Sequence, residues 1–294
     1  MYITDSSFNL FYSSFHMPLF MFLSGIFAYK DFKEWNKYES FSFLKKKTIR
    51  IIIPFITIGG LYSFLFCSNW YDVYSGKNTN YWFLPTLFYC MCITLVINLI
   101  FNNYIKSRCF NKEFAYHTLC WLILILLYKV FNNFIPYYLH TIKMLPFFIF
   151  GTYYSKYEVI KANIVSSKLT IFISIIIYVI CFVHSDKLPN NLNYKGLFAI
   201  PILVYLSFMF KDKNNKALIY IGKYSLEIYV FHWYILAIFP PINHIFSLNI
   251  INNFIPLAIL TFTISIPIIY ISIIISNIIR RNKFISNICF GDNN

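Results

Sequence analysis

A histidine and a proline stand two residues apart in an otherwise apolar run, Phe15-His16-Met17-Pro18-Leu19-Phe20-Met21-Phe22-Leu23-Ser24-Gly25. An ionisable side chain in such a run is costly unless it faces protein or water, which makes His16 a functional candidate by default. Imidazole near neutrality can accept a proton from an attacking hydroxyl, with its basicity set by burial and neighbours. The competing reading of His16 is a helix-end residue at the lipid headgroup level. A second candidate pair, Glu227 and His232, lies in the stretch from Tyr220 to His232. Five residues apart on a helix, the two do not share a face, so a direct pair between them is not expected. The favoured partner of Glu227 is Lys223, its i−4 neighbour, while His232 is either an interhelical hydrogen-bonding group or part of a pocket.

Lys47 and Arg50 close a basic segment just before Pro54. They serve as a topological signal, and their chemistry also suits the phosphates of a cytoplasmic ligand. Lys129 falls within a predicted span, where it must snorkel, pair or line a cavity, and Lys143 lies near a span end, where snorkelling suffices. Asp72, Asn78, Asn80 and Trp82 border one loop; amides and an indole there can hydrogen-bond and stack on a sugar, or simply anchor the loop at the interface. No glycine-rich phosphate loop, Gly-x-Ser-x-Gly elbow or His-Glu-x-x-His motif is present. The seven cysteines form no zinc or disulfide pattern: Cys90-Met91-Cys92 lacks the two-residue gap of a zinc knuckle, and most of the rest sit in apolar runs. No metal is expected.

The elements that must position these groups are membrane helices. Hydrophobic residues make up 59% of the 294 and charged residues 12%, with a mean hydropathy of +0.60; a soluble surface needs about twice that charge. At 1.5 Å per residue, about 20 apolar residues cross the hydrocarbon core. Runs of that kind fall at 10–29, 49–67, 82–101, 116–134, 142–155, 168–185, 196–210, 224–244 and 254–279. The expected fold is therefore all-α, a single polytopic transmembrane bundle of about nine spans over residues 1–294.

Charge gives the orientation. The net charge of +14 is concentrated in alternate loops: 20 of the 25 basic residues lie at 30–50, 106–112, 156–168, 211–223 and 280–283. The intervening loops hold only Lys77, Lys187 and Lys195. By the positive-inside rule the basic loops and the carboxyl terminus are cytoplasmic, which with an odd number of spans puts Met1 outside. The charge thus reports topology, and a nucleic-acid partner is excluded. Aromatic residues, 22% of the chain, cluster at Trp70-Tyr71, Tyr81-Trp82-Phe83, Tyr137-Tyr138 and Trp233-Tyr234, as expected of rings at the headgroup boundary. Prolines 54, 85, 146, 201 and 267 are expected to kink or end spans.

Four stretches, in order, resemble the acyltransferase 3 family of integral-membrane O-acyltransferases. Phe15-His16-Met17-Pro18-Leu19-Phe20 through Leu23-Ser24-Gly25 is similar to its F-H-M-P-L-F-x-F-L-S-G motif. Lys47-Thr48-Ile49-Arg50 through Pro54 is similar to its R-x-x-R-hydrophobic-P stretch, with lysine in place of the first arginine. Tyr81-Trp82-Phe83-Leu84-Pro85-Thr86-Leu87-Phe88 and Ile221-Gly222-Lys223-Tyr224-Ser225-Leu226-Glu227-Ile228-Tyr229 through His232 resemble its W-F-L-x-x-L-F and G-x-x-S-L-x-I-Y-x-x-H segments.

The resemblance implies transfer of an acyl group, by expectation acetyl, from acyl-CoA to a hydroxyl of a cell-surface carbohydrate in a bacterial inner membrane. It implies catalytic roles for His16 and His232, donor phosphates at Lys47 and Arg50, and substrate contacts at Ser24, Trp82 and Glu227. The expected partners are membrane lipids, the carbohydrate acceptor and acyl-CoA. Family members normally carry ten spans, the first with a catalytic arginine and histidine that have no counterpart here. The chain is thus expected to begin just before the family's second helix. Two other functions stay open: an inactive or mis-started member of the family, and a polysaccharide exporter or polymerase subunit.

Overall fold

The computed structural model describes residues 7–31, 37–67, 69–76, 80–104, 110–132, 134–184, 194–210, 215–239 and 254–291. The predicted positions Lys33, Lys77, Asn78, Lys106, Arg108, Lys187, Lys211 and Lys213, and the end of the predicted span 224–244, lie outside them. Among the described residues the chain is all-helical, with no strand. In order the helices are α1 (Ser7–Asp31), α2 (Lys37–Lys47), α3 (Gly60–Phe66), α4 (Asp72–Ser75), α5 (Phe83–Tyr104), α6 (Phe110–Leu126), α7 (Tyr128–Phe131), α8 (Tyr138–Lys156), α9 (Glu158–Ser166), α10 (Lys168–Val183), α11 (Tyr194–Met209), α12 (Lys216–Lys223), α13 (Ser225–Ile238), α14 (Phe254–Arg281) and α15 (Lys283–Phe290). Between α2 and α3 the chain winds as two π-helical stretches, Thr48–Ile52 and Phe55–Gly59.

Each of the nine predicted runs overlaps helical structure, with turns or bends at positions that include Cys67, Trp82, Leu127, Phe134 and Tyr224. Four helical segments among them are long and apolar enough to cross a membrane: Phe11–Ala28, Phe41–Phe66, Phe83–Ile100 and Ile255–Arg281. A fifth arises if α9 and α10, which meet at 77° about Ser167, act as one broken span. The runs at 196–210 and 224–244 correspond to the shorter apolar helices α11 and α13. The run at 116–134 is interrupted by a turn at Leu127, so Lys129 falls in the short α7.

Pro54 falls between the two π-helical stretches, and the other prolines expected to kink or end spans do not end a helix. Pro18, Pro146, Pro201 and Pro267 all lie inside continuous helices. Pro85 sits in the first turn of α5, where its missing N–H has no intrahelical acceptor anyway. A proline in a packed membrane helix frees one carbonyl that neighbouring groups can satisfy.

The chain forms two compact units, one of Met1–Ser13, Ile49–Trp82 and Lys213–Asn294, the other of Ser14–Thr48 and Phe83–Asp212. In the second unit α8 is the central helix: Leu145, Phe147, Phe148 and Ile149 are buried, and α5 and α6 pack along it. It also crosses α1 at close range. A Cβ on Gly151 would meet the carbonyl of Phe22 and stand 3.1 Å from Gly25 Cα. One on Gly25 would meet the carbonyl of Phe148 and stand 3.1 Å from Thr152 N. Lipid tails are as apolar as leucine, so helix association rests on such close contact of small residues and on interhelical hydrogen bonds. Gly25, the last residue of the Phe15–Gly25 run, is thus a packing residue. Nearby, Ser14 Oγ and Tyr178 OH, on α1 and α10, are 2.9 Å apart.

In the first unit the expected interface anchors divide. Trp70 and Tyr71 are exposed. Tyr81 is fully buried and donates to the Val230 carbonyl at 2.8 Å, so it ties the segment before α5 to α13 rather than marking a headgroup boundary. In the second unit Tyr137 and Tyr138 are likewise buried, with the Tyr138 hydroxyl donating to the Leu124 carbonyl at 2.8 Å.

Candidate active site

In the first unit a cluster of aromatic and amide groups forms around α13. Backbone carbonyls hold its hydroxyls in place. Tyr81 donates to Val230, Tyr234 to Ile58 at 2.5 Å, and Tyr229 to Asn80 at 3.1 Å. The Asn80 side-chain amide donates to Tyr62 OH at 3.1 Å. The ring of Tyr62 meets those of Tyr81 and Tyr234 edge to face at 5.4 and 5.3 Å, the geometry that ring quadrupoles favour. Outside the spans, Tyr74 donates to the Ile56 carbonyl at 2.8 Å, and burial raises its hydroxyl above the usual phenol range.

His232 stands beside this cluster. Its Nδ1 is 3.2 Å from the carbonyl of Ile228, one turn back. A carbonyl only accepts, so this bond puts the imidazole proton on Nδ1 and leaves the lone pair of the neutral ring on Nε2. In that tautomer Nε2 is the ring nitrogen that can accept a proton. The ring makes tilted contacts with Trp233, 4.7 Å away, and Tyr229, 5.7 Å away. Trp82 comes directly after Asn80 and Tyr81, and is half-buried. The structure therefore brings the segment carrying Trp82 against the helix carrying His232.

Glu227 departs from the expected pairing. It is buried and bonds Arg280 of α14 rather than Lys223. The cause is a helix break: α12 ends at Lys223, and Tyr224 has φ −101° and ψ 17°, so residues 223 and 227 do not lie one turn apart on one helix. The Arg280 guanidinium also lies 5.1 Å over the ring of Phe290, which packs edge-on against Phe231 of α13. Glu227 thus ties α13 to α14 and α15. Glu227 and His232 form no pair, as their spacing indicates. Arg50, in the first π-helical stretch, is exposed.

The remaining candidates lie in the second unit. His16 and Ser24 are half-buried on α1, two turns apart. Lys47, at the end of α2, places Nζ 5.0 Å over the Phe43 ring.

This unit also holds a polar network absent from the residues singled out in the sequence. Glu113 of α6 is buried; Lys156 Nζ donates to it at 2.5 Å and Tyr157 OH at 2.6 Å. One turn along α6, buried His117 has Nδ1 2.8 Å from Tyr153 OH and 3.0 Å from the Glu113 carbonyl. The available signal is the i, i+4 spacing of Glu113 and His117, which puts both on one face of a helix. The tyrosines around His232 carry no such signal, because a tyrosine at a span end looks the same whether it faces lipid or protein. Among the described residues, no group of three histidine, cysteine, aspartate or glutamate side chains could hold a metal ion.

Several apolar helices of membrane-crossing length, with a buried histidine and buried carboxylates paired to basic residues, are the features of a multi-pass membrane protein. The acyltransferase domain model matches residues 2–274, and the chain belongs to that family, acyltransferase 3. The match takes in all four stretches from Phe15 to His232. No curated protein and no solved structure matches the chain.

Proposed function

We propose that this acyltransferase moves an acyl group, acetyl as the first choice, from acyl-CoA to a hydroxyl of a cell-surface carbohydrate in a bacterial inner membrane. The observation that carries the reading is the family match over residues 2–274, with the four motif stretches in order inside it. The orientation that goes with it has basic loops and carboxyl terminus in the cytoplasm and the amino terminus outside, across about nine spans.

In this reading His232, through Nε2, takes the proton of the sugar hydroxyl as its oxygen attacks the thioester carbonyl. The carbon–sulfur bond then breaks, the ester remains on the sugar, and the departing thiolate takes the proton from the imidazolium. The tautomer fixed by the Ile228 carbonyl supports this role. His16 is the second candidate for proton transfer. Arg50, exposed at the start of its span, suits the phosphates of the donor, and the charge of Lys47 is a further candidate for them. Trp82 and Asn80 suit stacking on and hydrogen bonding to the acceptor ring, and Ser24 is a further acceptor contact.

The test is turnover by the purified protein in lipid, with radiolabelled acetyl-CoA and carbohydrate fractions of bacterial envelopes. Label in alkali-labile ester on carbohydrate, dependent on His232, is the expected result. Change in polysaccharide length or location without acyl-CoA dependence would overturn the reading in favour of an exporter or polymerase. Absence of any transfer would overturn it in favour of an inactive family member.

A further inference from the structure

Two short helices of the first unit, α12 and α15, are amphipathic in the same way. Lys216 and Lys223, seven residues apart, share one face of α12, with Leu218 and Ile221 opposite. Phe284, Ile285 and Ile288 share one face of α15, with Lys283 on the other and Asn287 at the polar edge beside Phe284. Each helix starts on an asparagine whose Oδ1 accepts two backbone N–H groups: Asn215 from Ala217 and Leu218, Asn282 from Phe284 and Ile285. These caps set the helix starts and so the direction in which each helix leaves the bundle. Among the described residues these apolar faces are exposed: Phe284 is 73% exposed and Leu218 66%.

Both helices branch from the same end of α14. Only Asn282 separates α14 from α15. The end of α12 is pinned there by Tyr224, which donates to Asn277 of α14 at 3.1 Å, and by the Glu227–Arg280 pair just beyond. The segment Ile255–Arg281 is 27 residues long, enough to cross the hydrocarbon core, and it ends in Arg280-Arg281. Its basic end therefore lies at the bilayer surface, and so do the roots of both amphipathic helices.

We infer that α12 and α15 lie in the membrane interface, with Leu218, Phe284, Ile285 and Ile288 in the headgroup–acyl boundary. Lys216, Lys223, Arg281 and Lys283 then hold anionic lipid headgroups. Charge complementarity and continuity with a spanning helix select a lipid surface as the occupant. A basic helix with an apolar face is stable in that boundary, and each basic residue near an anionic surface strengthens the attachment. Glu227 and Arg280 neutralise each other beneath this layer, which leaves the other four cations to the lipid.

The experiment uses the full chain in nanodiscs, with an environment-sensitive fluorescent amino acid at position 284 or 218 and, as a reference, at the exposed polar-edge position 287. Nitroxide lipids labelled near the headgroup end of the acyl chain should quench positions 284 and 218 at least about twofold more than lipids labelled at the chain end. Aqueous iodide should quench only position 287. Iodide reaching positions 284 and 218 as well as 287 would overturn the inference, because the helices would stand in water. Quenching of positions 284 and 218 by neither lipid nor iodide would also overturn it, because a second copy or another protein would cover them. In mixed discs, nitroxide phosphatidylglycerol should quench position 284 more than nitroxide phosphatidylcholine. Arg281→Gln and Lys283→Gln should each lower that preference, by up to about the fivefold that ~1 kcal/mol represents. Equal quenching by the two lipids in the unmodified chain would overturn the assignment of the basic residues.

Discussion

The close crossing of α1 and α8 makes Gly25→Ala a sharp test of how this bundle is held together. The added methyl would run into the Phe148 carbonyl and lie within 3.1 Å of Thr152 N. Both are main-chain atoms, so no rotamer change relieves the contact and one helix must move. Overpacking of a tight core costs about 1–3 kcal/mol, and backbone obstruction places this case in the upper half, about 2–3 kcal/mol. Alanine recovers about 1 kcal/mol of helix propensity over glycine, so the net loss is about 1–2 kcal/mol. For a chain of this size each kcal/mol moves the midpoint by about 2–4 °C, which gives a fall of about 2–8 °C. Gly222→Ala supplies the control: nothing lies within 4 Å of its added carbon, so propensity alone should leave the midpoint unchanged or slightly raised. The assay is thermal unfolding in one detergent, read as loss of the monodisperse peak of a fluorescent fusion. If Gly25→Ala unfolded at or above the temperature of Gly222→Ala, the argument that small residues bring these helices together would be refuted.

In the same melting assay Glu227→Gln should destabilise the protein by about 1–3 kcal/mol, discounted from a fully buried pair because Arg280 is partly exposed, whereas Lys223→Gln should leave the midpoint within about 1 °C. Equal effects would mean that Lys223 is the partner after all. Tyr81→Phe removes one buried hydrogen bond to Val230 and should cost about 0.6–1.7 kcal/mol, the range for hydrogen bonds inside membrane proteins; an unchanged midpoint would show that the bond contributes nothing net. His232→Ala should reduce acyl transfer by about 10²–10⁴-fold with the melting midpoint held, as loss of a general base does. Transfer above about a tenth of the original rate would remove His232 from that role.

Much of the bundle is legible in the sequence because lipid imposes a coarse grammar: a long apolar run must be a helix, as runs 10–29, 82–101 and 254–279 are. Which side of each helix meets protein is not written there. Tyr81 and Trp70 have equivalent positions in the sequence, both beside a span, yet one is sealed inside and the other is exposed. Lys223 is the partner that an unbroken helix would give Glu227, and a single residue, Tyr224, undoes that geometry. The Glu113 network is illegible for a related reason. Its partners, Lys156 and Tyr157, are more than 40 residues away, and no local pattern encodes a meeting at that distance. At the site, the residue types at His16 and His232 are evident from the motifs, while the tautomer of His232 needs a carbonyl placed in space.

The two π-helical stretches on either side of Ile53-Pro54 set the rotational phase of α3. Each such stretch takes up about one residue more than the same length of α-helix, and one residue is worth about 100° of rotation around the axis. The direction in which Tyr62 leaves α3, toward Tyr81 and Tyr234, therefore depends on both insertions being kept. Deleting one residue between Thr48 and Gly59 would turn α3 by roughly a quarter of a circle and swing Tyr62 off the cluster, with every apolar face still apolar. Length in this segment is thus under tighter constraint than composition, and a change of residue count there would be felt at His232 before any change of residue type.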